Sequence, residues 1–171
     1  MIKFGALRRE DMPLILQWRN QTPEAWRDPR PTTITQQYDW FDKVVSHNPN
    51  GRYWGIYLDD KLVGQVELTS IIWEYGTAEI GLIINIDYWS NGIGSAAVKF
   101  ALEMGFNYLG LQTIYGESYK CAAADFWEKR AKKWGGYTTT LPLRKRTYDG
   151  ELWDILYFSW ARDDWNILND R

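Results

Sequence analysis

The chain has 171 residues, a net charge of −2, one cysteine and one histidine, with 45% hydrophobic and 25% charged residues. That length buries a core without disulfide or metal staples, and a lone Cys121 excludes both an intramolecular disulfide and a cysteine-based zinc site. The charge supplies no global basic field for nucleic acid, and no apolar run is long enough to span a membrane.

The opening Met1-Ile2-Lys3-Phe4 starts no signal peptide, so a cytoplasmic protein with one domain over 1–171 is expected. Residues 2–7 suit a short strand. Asp11 is placed as an N-cap, with Pro13 in the first turn of a helix reaching about Asn20. Residues 23–31 carry three prolines and read as a loop. Thr35 is predicted to cap a second helix whose Tyr38, Phe41 and Val45 share a face, and residues 48–51 break it.

Strands follow at 52–58, 62–72 and 77–86, separated by Asp59-Asp60 and by Gly76, and they predict an antiparallel meander. Helix 94–107 comes next, with Ala97, Val98, Ala101, Leu102 and Phe106 on its apolar side and Lys99, Glu103 and Asn107 opposite. A strand at 111–115 completes a strand–helix–strand unit, which implies a right-handed parallel crossover. A helix within 122–134 and strands at 137–141 and 152–160, flanking a loop over 144–150, finish the chain. The class is α+β with a mixed sheet.

The chemistry concentrates where the third strand hands over to the long helix, in Ser90-Asn91-Gly92-Ile93-Gly94-Ser95. First-turn amides are unpaired, the helix dipole favours negative charge, and glycines let an anion approach the backbone. Ser90, Asn91 and Ser95 add side-chain donors. No Gly-Lys-Ser/Thr follows, so this is no nucleotide-triphosphate loop; the dinucleotide fingerprint would need a third glycine. A purely structural turn is the competing reading. Eleven tryptophans and eleven tyrosines serve mostly as core filling, with some available to stack on a flat ligand. His47 lies in a polar loop, which leaves no partner for a Ser-His-Asp or cysteine nucleophile. Two local basic clusters remain, Arg144-Lys145-Arg146 and residues 129–133.

Taken with "LQWRN", "TITQQYDWF", "LVGQVEL", "AEIGLIINIDYWSNGIG" and "YDGELWDILYFSW", the turn makes nearly the whole chain resemble the GNAT superfamily of N-acetyltransferases. The similarity is to the branch with ribosomal-protein N-terminal and amino-sugar acetyltransferases. It implies a GNAT-like mixed central sheet, an antiparallel meander plus a parallel crossover, flanked by helices. It also implies acetyl-CoA as cosubstrate, with no metal. The family's pyrophosphate loop matches residues 89–94, with Trp89 where Gln or Arg is usual. Carried over, Leu82 and Ile84 offer backbone groups to pantetheine, and Trp89, Ser90, Asn91, Gly92, Gly94 and Ser95 surround the pyrophosphate.

Acetyl transfer to an amine needs a base, a positioned carbonyl and a proton for the leaving thiolate. Glu79, at the start of the cofactor strand, is the first candidate base, Glu67 on the neighbouring strand the second and Glu117 the third; a solvated strand-edge carboxylate is the alternative for each. The family's Asn and Tyr are missing. Lys120 or Asp125 falls at the Asn position according to register, and the first register puts Trp127 in place of the Tyr, so the acid stays unassigned. Arg144, Arg146 and Tyr148 are candidates to bind an acidic acceptor such as a sugar nucleotide, against a solvated basic loop. A small amine, an amino sugar or a protein N-terminus all suit such an enzyme. A non-catalytic CoA-binding or regulatory module and a nucleic-acid-directed acetyltransferase remain as alternatives, the latter opposed by net charge.

Overall fold

The computed structural model describes residues 1–120, 122–146 and 150–169, the side chains of 143–146 and 169 excepted. Its strands are β1 (Ile2–Gly5), β2 (Arg52–Leu58), β3 (Lys61–Ile72), β4 (Thr77–Ile84), β5 (Thr113–Tyr119), β6 (Tyr137–Arg146) and β7 (Leu152–Ala161). Its helices are α1 (Met12–Gln21), α2 (Ile34–Trp40), α3 (Ile93–Glu103), α4 (Ala124–Lys133) and α5 (Arg162–Asn169). The strands form one sheet in the order β1-β2-β3-β4-β5-β7-β6. The meander β2-β3-β4 is antiparallel, and β4 pairs with β5 in parallel across α3, as expected.

Alternation along the strands divides the sheet into two faces. Val66, Leu68, Ala78, Ile80 and Ile114 point to one side and meet Ala97, Val98, Ala101 and Leu102 of α3 in the larger core. On the other side Leu62 meets Met12, Ile15 and Trp18 of α1, with Tyr38 and Trp40 of α2 packed against them. Opposite Val66 and Leu68 in phase, Gln65, Glu67 and Thr69 therefore face the α1/α2 layer, and so do their partners Ile83, Gly81 and Glu79.

Several boundaries differ from the sequence reading for local reasons. The second helix is capped by Thr33, whose Oγ1 accepts from Gln36 N at 3.3 Å while the Gln36 side chain returns to Thr33 N at 2.9 Å; this capping box starts the helix two residues before Thr35 would. Asp11 does sit at the N-cap of α1, yet its carboxylate accepts from Arg8 N at 2.9 Å and so closes the preceding turn. β4 stops at Ile84 because Asn85 Oδ1 accepts from Asp87 N and starts a short turn. The basic segment 144–146 is not in a loop: β6 runs on to Arg146, where Lys145 and Arg146 pair with Trp153 and Leu152 after a register shift. Helix α5, absent from the sequence reading, is fixed by Trp165, which is buried against Phe106 and Trp134.

Candidate active site

The sheet opens between β4 and β5. Only Thr77↔Thr113, Ala78↔Ile114 and Glu79↔Tyr115 pair, and beyond Glu79 the two strands separate. Asn85 N donates to Val63 O at 2.9 Å, so the two-residue alternation turns Ile83 and Gly81 toward β3. The same alternation turns the N–H and C=O of Leu82 toward the opening. Ile84 points the same way, but its carbonyl already accepts from Trp89 Nε1 at 2.9 Å. A free length of strand edge thus lines one arm of the opening.

The glycine turn stands at the end of that arm. Ser90 and Gly92 both adopt positive φ, 65° and 78°, and Gly92 is the N-cap of α3. A Cβ at Gly92 would meet nothing within 4 Å, so its glycine answers to the left-handed backbone and to an open approach. Gly94 serves a different purpose: a Cβ there would come 3.1 Å from the Phe126 ring and 3.6 Å from Leu82. Phe126 of α4 therefore closes on the first turn of α3. From the same helix Arg130 lies over the Phe126 ring, 4.5 Å from its centroid, and its Nε donates to Ser95 Oγ at 2.8 Å. A guanidinium is thereby held beside the unpaired amides of α3.

The carboxylates lie at the apex of the opening. Arg27, from the proline-rich segment after α1, makes a charge-assisted bond to Glu79 and reaches Glu117 at 3.6 Å. The Glu79 pairing raises the Arg27 pKa above the usual guanidinium range. Glu67 stands next to them over Gly81, where a Cβ would fall 2.6 Å from Glu67 Oε1; the glycine makes room for the carboxyl. Burial pushes the Glu67 pKa up to about 7 and the charge of Glu79 adds to it, against a hydrogen bond from Gln65 Nε2 at 2.6 Å. Tyr115 and Tyr157, stacked with centroids 6.0 Å apart, and Tyr119 all keep their protons more tightly through burial.

Glu67 opens into a cavity of about 280 Å³ between the sheet and α1/α2, lined also by Arg19, Trp26, Gln37, Trp40 and Gln65. A neighbouring groove of about 470 Å³ shares Arg19 and Trp26 and runs out past Pro29 and Arg30. The structure thus joins all three predicted carboxylates at one place and the predicted turn residues at another, with the β4 edge between them. Tyr148 and Cys121 lie outside the described residues, as do the side chains of Arg144 and Arg146. Trp127 is buried, stacked on Phe158 at 4.5 Å, and offers no proton donor where the family's Tyr is expected. His47 is exposed, with Nδ1 donating to Asp42 O at 2.6 Å.

Sequence reasoning missed Arg19, Arg27, Gln65 and Arg130. Arg27 had a signal in the Arg-Asp-Pro-Arg-Pro stretch, where charge recurs inside a rigid loop. Arg130 sat in a noted basic cluster, yet only the fold shows it turning to α3 while Lys132 pairs with Glu128 at 3.1 Å.

A mixed sheet parted between two parallel strands, with a helix N-terminus at one end of the gap, defines an acetyltransferase fold of the GNAT type. Residues 2–121 match the Acetyltransferase (GNAT) domain, and the chain belongs to that family. It is similar to the spermidine N(1)-acetyltransferases of Escherichia coli K12 and O157:H7, 28% identical to each over 116 residues, or 67% of this chain. The match spans 62% of the length of those relatives. Among solved structures, spermidine N-acetyltransferase from Vibrio cholerae in complex with CoA and spermine superposes with a TM-score of 0.85 at 19% identity, covering 96% of this chain and 97% of that one. A dodecameric form of the Vibrio cholerae enzyme gives a TM-score of 0.82 at 19% identity, over 99% and 97% of the two chains. At that identity the likeness concerns the fold. The ribosomal-protein and amino-sugar branch suggested by the sequence has no counterpart among these relatives. No helix among the described residues is long and apolar enough to cross a membrane.

Proposed function

We propose that this chain, as one domain over residues 1–171, is a cytoplasmic N-acetyltransferase that uses acetyl-CoA to acetylate a small primary amine by direct attack. The observation that carries this reading is the parted β4–β5 pair, with an anion-ready turn at one end and a carboxyl-lined cavity at the other. The chain's groups suit a phosphate-bearing thioester: an open αL turn, Arg130 beside it, and a free strand edge for an amide-containing arm. When bound, acetyl-CoA supplies the activated acetyl group. Ser90, Asn91, Gly92, Gly94, Ser95 and Arg130 hold its phosphates, Trp89 braces the turn against Ile84, and Leu82 pairs with pantetheine. The family membership and the curated relatives, both acetyltransferases of amines, support the reading.

Glu67 takes the role of base in this scheme. Its raised pKa lets it accept a proton near neutrality, whereas the Glu79 carboxylate is engaged by Arg27. Glu79 and Glu117 instead hold the Arg27 loop over the apex, which orders the cavity wall. Incubation with acetyl-CoA and a panel of primary amines should release free thiol and give products heavier by one acetyl group. Failure to bind acetyl-CoA in calorimetry would sink the reading. Binding without thiol release on any amine would leave the non-catalytic module in its place.

A further inference from the structure

Arg19 is the group in the cavity that the proposed transfer does not use. It stands in the last turn of α1, half-buried, over the Trp26 ring at 4.6 Å from the centroid. Its Nε donates to Thr32 Oγ1 at 3.0 Å and a terminal nitrogen to Asp28 O at 3.4 Å, so the fork is aimed by neutral acceptors. Among the described residues no carboxylate comes within ion-pair distance of it. Asp28 could have done so but is held by Arg30, at 2.6 and 2.8 Å. Burial lowers the pKa of this guanidinium, and the charges of Asp28 and Glu67 offset that only in part.

At the sheet side of the same cavity, Gln65 is buried and its Oε1 has no hydrogen-bond partner among the described residues. Its amide nitrogen donates to Glu67. One wall thus presents acceptors, Gln65 Oε1 and the Glu67 carboxyl, and the other a cation that Asp28 and Glu67 offset only from beyond ion-pair distance. A polycation entering this space would bring its distal ammonium against Arg19, and the adjoining groove carries Arg30 and no carboxylate in its lining.

We propose that the acceptor is a small amine carrying an anionic group, carboxylate or phosphate, with its amine at Gln65 and Glu67 and its anion at Arg19. The assignment rests on the acetyltransferase reading above and specifies its substrate class. Arg19 binds the anion through the guanidinium fork, Trp26 fixes the plane of that fork, and the fixed span between Arg19 and Glu67 places the amine on the β4 side.

The test uses the full chain with acetyl-CoA and matched acceptors: ethanolamine, O-phosphoethanolamine and β-alanine; glucosamine and glucosamine 6-phosphate; and spermidine. An anionic member should exceed its uncharged counterpart in kcat/KM by about tenfold or more, and the phosphate and carboxylate arms tell which anion is preferred. Arg19→Gln should raise the KM for anionic acceptors and abolish that advantage, Arg19→Lys should keep part of it, and acetyl-CoA affinity should stay the same in both. Acetylation of spermidine or of the uncharged amines with equal or better efficiency would overturn the acceptor class and leave acetyl transfer standing. An unchanged KM for anionic acceptors in Arg19→Gln would do the same. Acetyl-CoA binding with no amine acetylated would overturn the transfer reading, and the acceptor class with it.

Discussion

Glu67 sits over Gly81 with one oxygen on Gln65 Nε2, and burial holds its pKa near 7. A base must be deprotonated to act, so kcat/KM should fall as pH drops through about 7, and Glu67→Gln should lower kcat by about a hundredfold or more and erase that limb. A profile flat from pH 6 to 9, or a glutamine variant with wild-type kcat, would hand the role to another group. The same raised pKa carries a sign for stability. Between its unfolded value, near that of a free glutamate, and about 7, the native state binds more protons than the unfolded one, so its contribution is fully present at low pH and is lost as pH rises through 7. Glu67→Gln cannot ionise. Its Tm relative to wild type should therefore climb between pH 5 and pH 8, which differential scanning calorimetry at the two ends would read.

In the proposed scheme the first turn of α3 carries the anion site, and two glycines there do different work. Gly92 holds φ 78° in open space, so a side chain meets no neighbour yet strains the backbone by about 1–2 kcal/mol. Gly92→Val should also cover the amides and weaken CoA binding by about tenfold. Gly110, just before β5, offers a control, because it too has positive φ, 72°, with nothing within 4 Å. Gly110→Val should lose stability by a similar mechanism but keep CoA affinity in calorimetry. Equal losses of affinity in both variants would mean that strain, not access to the turn, explains the Gly92 effect. Arg130→Met belongs to the same element pairing: it leaves the Phe126 contact a packing partner and removes the cation. It should weaken CoA binding most at low ionic strength, where a phosphate contact is least screened.

At the scale of the molecule, the β5–β7 pair bordering the gap packs against α4 through Phe158 and Trp127. Gly116 lies under the Phe158 ring, where a Cβ would come 2.5 Å from Phe158 Cζ, and that ring is caught between Trp127 at 4.5 Å and Trp160 at 5.5 Å. Gly116→Ala should cost about 1–3 kcal/mol, seen as a lower denaturant midpoint with an unchanged m-value, since the ring has no free side to retreat to. The parts legible in the sequence were those governed by local pattern. Alternating apolar residues and turn glycines marked the meander, the period of Ala97, Val98, Ala101 and Leu102 marked α3, and Gly92 with Gly94 marked the place where an anion could dock. These depend on neighbours within a few residues, so one chain written in order displays them. What the sequence could not order were the three carboxylates: Glu79 ranked first on strand position. The fold brings Arg27 across some fifty residues of chain to occupy it and sets the partly buried Glu67 against Gln65 instead. The role proposed for Arg19 likewise became legible only when Arg30 had taken Asp28 and the sheet had brought Gln65 and Glu67 to the opposite wall. Periodicity and turn chemistry by themselves determined the framework and the glycine turn proposed for the cofactor. Charge pairing and desolvation depend on distances between segments remote in sequence, so only the tertiary structure decided which acid is poised and which cation is left for the acceptor.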